Sequence, residues 1–385
     1  MNYEFPTINN ISDVLPAIEG RDEFTVAVKE GYTVINYNVM MADTFDCNIR
    51  RECRGIIFDT ATGDIIRRPF HKFFNVNERE ETHDHVIDLS QSHAILEKLD
   101  GSMIAPFIVD GQMIWGTKMG ATDVAKPVEA FVEAHSEYRI YAKFMLSRGY
   151  TPIFEWCSRK QRIVLDYSED QLILTAVRDL VSGRYVSRDL MMINAENYNI
   201  PVVRTWDIGL EMDNKTMKSF IGYVRDLEDR EGFVVRFSDG HMIKLKCDWY
   251  VQIHKAKEAI LQDRNIVELI LDDKLDDIKA HLPAEDRDRL SYFESQINSR
   301  ILDKAAHLSD ATNREQYDGD RKYFALNRAQ EYNSYSKAIV FALWDDNSYE
   351  RSTELVRRTI RNNIGRNTKW EELRDHWFEG VTYNA

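Results

Sequence analysis

The first 250 residues alternate between two textures of hydrophobic patterning. Short apolar runs bounded by Gly, Asp and Thr read as strands, and between them lie stretches with apolar residues three and four apart. RGIIFDTATGDIIRRPF (54–70) reads as two strands around a Thr-Ala-Thr-Gly turn. MIAPFIVDGQMIWGTK (103–118) reads as a hairpin turning at Asp110-Gly111, and GFVVRFSDGHMIKLKC (232–247) as another turning at Asp239-Gly240. Helical spacing is expected near 126–148 and again over 216–227. After about residue 254 the alternation stops. IVELILDDKLDDIKAHL, RLSYFESQINSRILDKAAHL, YSKAIVFALW and RSTELVRRTI all carry helical spacing, with no strand pattern between them. The pattern predicts an α+β fold: an antiparallel-sheet domain over 1–254, followed by an all-helical domain over 255–385.

Composition narrows the class without naming a function. A chain of 385 residues is long enough for two domains, and 43% hydrophobic with 30% charged residues is ordinary for a soluble globular protein. The net charge of −14 argues against indiscriminate coating of nucleic acid, because phosphate binding draws on Lys and Arg. A local basic site on an acidic body remains open. Cys47, Cys53, Cys157 and Cys247 form no CxxC pair and read as free thiols in a reducing compartment. The opening MNYEFPTINNISD lacks the basic and apolar regions of a signal peptide, and no apolar run reaches the ~20 residues of a membrane span. A cytoplasmic protein without a membrane partner is expected.

Charged residues at strand positions supply the candidate chemistry. In EKLDGSMI (97–104), Lys98 stands two residues before an Asp-Gly pair, after the apolar approach HAILE. Lys-x-Asp-Gly arises by chance in roughly one chain of this length in ten, so its surroundings must carry the case. Lys244 and Lys246 are two apart on one strand and share a face. They are either a solvated sheet face or a grip on one polyanion. Glu155 lies inside the apolar run TPIFEWCSR, and Glu231 directly precedes Gly232; each is a strand-rim acid or a ligand group.

The order of these features is more specific than any one of them. Arg-Gly (54–55), Lys-x-Asp-Gly (98–101), Phe-Glu (154–155), Glu-Gly-Phe-Val (231–234) and Lys-x-Lys (244–246) resemble the motifs of the covalent lysyl-nucleotidyltransferases, which include DNA ligases, RNA ligases and capping enzymes. KxDGS, RIVLDY, IKLKCDWYVQIH, ECRGIIF and RPFHKFFNVNE resemble, more closely, the ATP-dependent RNA ligase 1 family of tailed bacteriophages. The resemblance spans about 30–255 and extends weakly into the helical tail.

It implies a nucleotidyltransferase domain in which the Lys98 amine attacks the α-phosphate of ATP, retains AMP, and passes it to a 5′-phosphate RNA end. A 3′-hydroxyl then displaces AMP and seals the strand. A free lysine, with a pKa near 10.4, is only ~0.1% neutral at neutral pH, so neighbouring cations are expected to help activate the amine. Lys244, Lys246, Arg54 and bound Mg²⁺ are the groups expected to supply that field. The resemblance places Glu155 on the ribose hydroxyls, Glu231 on Mg²⁺, Gly232 beside the adenine, and Lys244 and Lys246 on the phosphates. Arg54 and Lys72 are implied at phosphate or at the incoming RNA end, each alternatively a rim cation or a cover for apolar surface. Tyr37 falls where the family places an aromatic near the nucleotide, or is a core tyrosine. Lys118 in GTKMG matches a further family lysine more loosely, because Met119 separates it from Gly120. Asp276, in DDIK, resembles an acidic motif associated with a metal, or is part of an Asp-rich helix surface.

The tract 351–369 holds Arg351, Arg357, Arg358, Arg361, Arg366 and Lys369 against the single acid Glu354. It is either an RNA-docking face or a solvated helix face. The resemblance also implies RNA ends as partners, tRNA broken in its anticodon loop among them, and a monomer in the cytoplasm, a host's if the chain is phage-encoded. DNA ligases and capping guanylyltransferases carry a five-stranded barrel after Lys-x-Lys, which the helical texture opposes. Ser102 leans towards RNA ligases, and Met103 stands where DNA ligases tend to have arginine. A catalytically dead RNA-binding module would be expected to lose Lys98, Glu231 or Lys246, and all three are present.

Overall fold

The computed structural model describes residues 4–207 and 216–383, so the first three residues of the N-terminal stretch discussed above lie outside it. The chain divides into two compact units, Met1–Val251 and Gln252–Ala385. The first holds twelve strands among the described residues: β1 (Phe24–Val28), β2 (Tyr32–Tyr37), β3 (Ile56–Asp59), β4 (Ile65–Arg67), β5 (Phe74–Asn75), β6 (His93–Glu97), β7 (Ser102–Val109), β8 (Gln112–Gly116), β9 (Tyr150–Cys157), β10 (Gln171–Asp179), β11 (Gly232–Phe237) and β12 (Met242–Lys246).

These strands form three four-stranded sheets, ordered β1-β2-β3-β4, β10-β9-β7-β8 and β5-β12-β11-β6. All pairings are antiparallel except the two-residue match of β5 with β12. Asp110 and Gly111, with φ of 49° and 75°, make the tight left-handed turn between β7 and β8, which suits the native twist of a hairpin. The expected helical region near 126–148 is two helices, Lys126–Ala134 and Ser136–Leu146, broken at the non-helical His135 (φ −125°, ψ 74°). Their buried faces (Val128, Val132, Tyr141, Met145) pack with Phe154, Trp156 and Leu174 of the β10-β9-β7-β8 sheet. Full burial of such side chains contributes ~1.5–3 kcal/mol each, which fixes this sheet as a platform.

Three buried charges tie the first unit together. Glu52 accepts from Arg178 Nη1 and Nη2 at 2.7 Å each and from Arg68 Nε at 3.2 Å, and all three side chains are fully buried. The bidentate pair anchors the ECRG segment to β10, while Arg68 follows the end of β4.

Every regular element of the second unit is helical among the described residues, with no strand after Lys246. The five-stranded barrel expected of a DNA ligase or capping enzyme is therefore absent from the described residues. The long helix Ala284–Ala311 buries Leu290, Phe293, Ile297, Ile301, Ala305 and Leu308, a three–four spacing that puts one stripe into the core. The expected run 266–282 is interrupted: Asp273 adopts φ 55°, ending the helix Asp263–Leu271 before Leu275–Lys279 begins.

Candidate active site

Lys98 follows directly on β6 and is held from two directions, by the first residue of β11 and by the residue before it. Its backbone N–H donates to the Gly232 carbonyl at 2.9 Å. Its Nζ lies 2.7 Å from Glu231 Oε1, the same oxygen that Lys246 Nζ reaches at 2.9 Å. Glu231 is only 3% exposed, so the two ammonium groups converge on one sheltered carboxylate. Gly232 pairs with Lys246 across β11 and β12. With φ 140°, its hypothetical Cβ would lie 2.0 Å from the Leu245 carbonyl. The atom that demands glycine here is therefore backbone of β12, and its absence of a side chain lets the two strands close around Glu231.

Asp100 is a buried hub. Its Oδ2 accepts from the Val164 and Leu165 N–H groups at 2.7 Å each, and its Oδ1 accepts from the Tyr250 hydroxyl at 2.6 Å. The Asp100 N–H donates to the Tyr167 hydroxyl at 2.9 Å. The loop carrying Lys98 is thus tied to the RIVLDY segment and to the helix Asp248–Ala259 that follows Lys-x-Lys. Gly101 is required by crowding, because an added Cβ would lie 2.3 Å from the Trp156 carbonyl.

Beside Lys98 opens a cavity of about 450 Å³, whose walls include Arg54, Lys98, Lys118 and Glu155 with the apolar Leu96 and Val234. Burial pushes the Glu155 carboxyl up to about 7; Lys98 opposes the shift and Glu231 adds to it. Arg54 keeps Nη1 buried with no hydrogen-bond acceptor, an unfilled demand for an anion. Gly55 sits at φ 90°, where a Cβ would lie 2.5 Å from the Lys118 carbonyl, so these two cationic segments meet backbone to backbone.

Lys72 is 8% exposed, and its Nζ lies 5.4, 5.5 and 5.1 Å from the ring centres of Tyr37, Phe45 and Phe74. It faces an aromatic cage, with no ion pair among the described residues. Lys118 Nζ lies 5.6 Å from the Tyr37 ring centre. Burial would raise the Tyr37 hydroxyl, but Lys72, Arg54 and Lys118 outweigh it and the pKa falls. Lys244 is pushed down to about 7, first by burial and then by Lys72, Lys98 and Arg54, with Glu78 opposing. The cations that crowd Lys244 are Lys72, Lys98 and Arg54. A bound polyanion would relieve this crowding.

The first unit therefore brings together Tyr37, Arg54, Lys72, Lys98, Lys118, Glu155, Glu231, Gly232, Lys244 and Lys246. Asp276 belongs to the helical unit, where its carboxylate is 93% exposed and lies 3.5 Å from Lys279 Nζ. Much of the basic tract there is already engaged. Arg357 and Arg361 donate to carbonyls at the end of the helix Asp263–Leu271 and reach Asp273 and Asp272, and Arg351 pairs with Glu354. Arg358, Arg366 and Lys369 form no ion pair among the described residues.

Comparison with known proteins decides what this constellation belongs to. The family model described as RNA ligase matches residues 52–250. A putative RNA ligase of Thermovibrio ammonificans is 30% identical over 314 residues, covering 78% of this chain and 80% of that protein. The chain belongs to the RNA ligase family. This is the phage-type RNA ligase family to which the ordered motifs pointed, and the chain is an enzyme of that class. RNA ligase 1 of bacteriophage TS2126 is 25% identical over 262 residues, 65% of this chain and 62% of its own length. Among solved structures, an archaeal ATP-dependent RNA ligase aligns with 97% of this RNA ligase and 80% of its own chain, at 13% identity and a TM-score of 0.45.

No three His, Cys, Asp or Glu side chains among the described residues form a ready metal cage. Mg²⁺ usually takes one or two protein carboxylates and fills its other positions with substrate phosphate and water. Glu231, sheltered beside Lys98 and the cavity, fits a metal that arrives with a triphosphate. No helix of the described residues is long and apolar enough to cross a membrane.

Proposed function

We propose that this RNA ligase is ATP-dependent and works through AMP carried on Lys98. One observation carries the reading. Lys98 Nζ sits at a cavity of about 450 Å³, 2.7 Å from a buried carboxylate that it shares with Lys246. As an ammonium Nζ has no lone pair to offer; attack requires that it first pass a proton to Glu231 or to solvent, which leaves the neutral amine free to react.

The released amine then attacks the α-phosphorus of ATP. A P–N bond forms and the P–O bond to pyrophosphate breaks. Arg54, with its unpaired Nη1, and Lys118 and Lys244 bind the phosphate oxygens and offset the charge that develops there. Glu155 accepts from the ribose hydroxyls, and the apolar walls take the base. Glu231 would hold Mg²⁺, which would supply further positive charge beside the triphosphate. In the second step a 5′-phosphate RNA end takes AMP from Lys98, and in the third a 3′-hydroxyl displaces AMP to seal the strand.

RNA repair in the cytoplasm fits this chemistry, with tRNA nicked in the anticodon loop as the substrate and residues 255–385 as the substrate-binding domain of a monomer. Arg358, Arg366 and Lys369 supply its RNA contacts, and Asp276 any contact to metal. Incubation with α-labelled and γ-labelled ATP tests the reading. Protein-linked label from the α position only, lost in Lys98→Ala, is expected. Label from the γ position, or labelling by GTP in place of ATP, would overturn it.

A further inference from the structure

Arg67 ends β4 with its guanidinium fully buried, yet no carboxylate pairs with it among the described residues. Nε and Nη2 both donate to the Gly55 carbonyl, at 3.1 and 2.8 Å. Nη2 also donates to the Thr117 carbonyl at 2.9 Å, and Nη1 to the Ala105 carbonyl of β7 at 3.3 Å. The group lies over Phe107, 5.1 Å from the ring centre. A buried cation without a counter-ion is costly, and an apolar side chain would fill the same space with less penalty. What an apolar residue cannot do is bridge three carbonyls with one rigid fork.

Two of those carbonyls stand next to expected phosphate ligands. Gly55 follows Arg54, and Thr117 precedes Lys118. Thr117 and Gly120 exchange N–H···O bonds of 3.0 Å in both directions, so Lys118 and Met119 form a tight turn. Gly55 packs its backbone directly against that turn. We propose that Arg67 is a positioning residue of the nucleotide site: by clamping the Gly55 and Thr117 carbonyls together it sets the spacing of the Arg54 and Lys118 cations over the cavity. The ECRG turn and the Thr117–Gly120 turn come from distant parts of the chain, and the Arg67 side chain bonds to both.

The inference rests on the ATP site proposed above, and binding separates the two claims. ATP affinity is measured by calorimetry in the full-length Lys98→Ala protein, which cannot turn the nucleotide over. Arg67→Lys keeps the charge but replaces the fork with a single ammonium. It is expected to weaken ATP binding about tenfold, and to add little when Lys118→Ala is already present, because it acts through that lysine. Gly116→Ala is the second variant. Its Cβ would lie 2.8 Å from Arg67 Nη1 and 3.0 Å from the Gly120 carbonyl carbon and oxygen, so it crowds the guanidinium and the Lys118 turn together while leaving every charge in place. It is expected to weaken binding in the same direction; if Arg67→Lys does not fold, Arg67→Gln, which keeps a donor and loses the fork, carries the test in its place, with the same loss and the same non-additivity expected. A merely structural role would lower the melting temperature without this non-additivity. Unchanged ATP affinity in the folded variants, or a full multiplicative loss on the Lys118→Ala background, would overturn the role of Arg67. Absence of ATP binding to the protein with Arg67 intact would instead remove the ATP site itself.

Discussion

Glu155 places an acid on an apolar strand, and the cost of ionising it is open to measurement. Burial raises its carboxyl from an ordinary 4.5 to about 7. The folded state then binds this proton more tightly than the unfolded chain does. Its stability contribution is therefore greatest below about 4.5, declines as pH rises from there to about 7, and is level above. At pH 8 the difference amounts to ~3 kcal/mol against folding, and at pH 5 to ~1 kcal/mol. Glu155→Gln removes the titration and keeps the shape. Urea unfolding of the nucleotide-free protein at pH 5 and pH 8 is the assay, and the other carboxylates cancel between wild type and variant. The variant is expected to gain ~2 kcal/mol on wild type between pH 5 and pH 8, while losing nucleotide-dependent labelling. Parallel pH profiles for the two proteins would refute the reasoning.

Two further perturbations probe the supports of the site. Asp100→Ala strands the Val164 and Leu165 N–H groups and the Tyr250 hydroxyl, and is expected to cost ~3–6 kcal/mol in chemical unfolding. Asp100→Asn, which retains an acceptor for the two N–H groups, is expected to cost less than half as much; equal losses would contradict the hub. Glu52→Gln leaves two buried guanidinium groups without their charge partner and is expected to cost ~3–5 kcal/mol. Burial alone would raise the Glu52 carboxyl, but Arg178 and Arg68 hold it below 4.5. Its contribution is thus present above that value and lost as pH falls through the depressed one. A Glu52→Gln protein whose acid unfolding midpoint matches wild type would contradict this.

The hairpins and the helical tail were legible because their signals are local. Asp-Gly supplies left-handed turns between alternating strands, and a three–four spacing supplies a helix. The charges of the candidate site stood out in the sequence because Glu155, Lys244 and Lys246 stand where a sheet ordinarily buries apolar side chains. What was illegible depends on partners distant in sequence. Nothing local marks Asp100 as the acceptor for residues 164, 165 and 250, or Glu52 as the partner of Arg178. Arg67 and Arg68 are adjacent and chemically identical, and both bond three carbonyls, yet Arg68 alone of the two also reaches a carboxylate. The basic tract shows the converse. Its charge count suggested docking, and the fold spends Arg357 and Arg361 on the end of a neighbouring helix.

The central claim is that Lys98 is the residue that carries AMP. Protein labelled with α-labelled ATP, freed of nucleotide and digested, gives the answer by mass spectrometry of the adducted peptide. A single adenylyl group on Lys98 that moves to RNA when the intact labelled protein meets a 5′-phosphorylated strand is the expected result. An adduct on Lys244 or Lys246, or a Lys98 adduct that no RNA end can discharge, would contradict it.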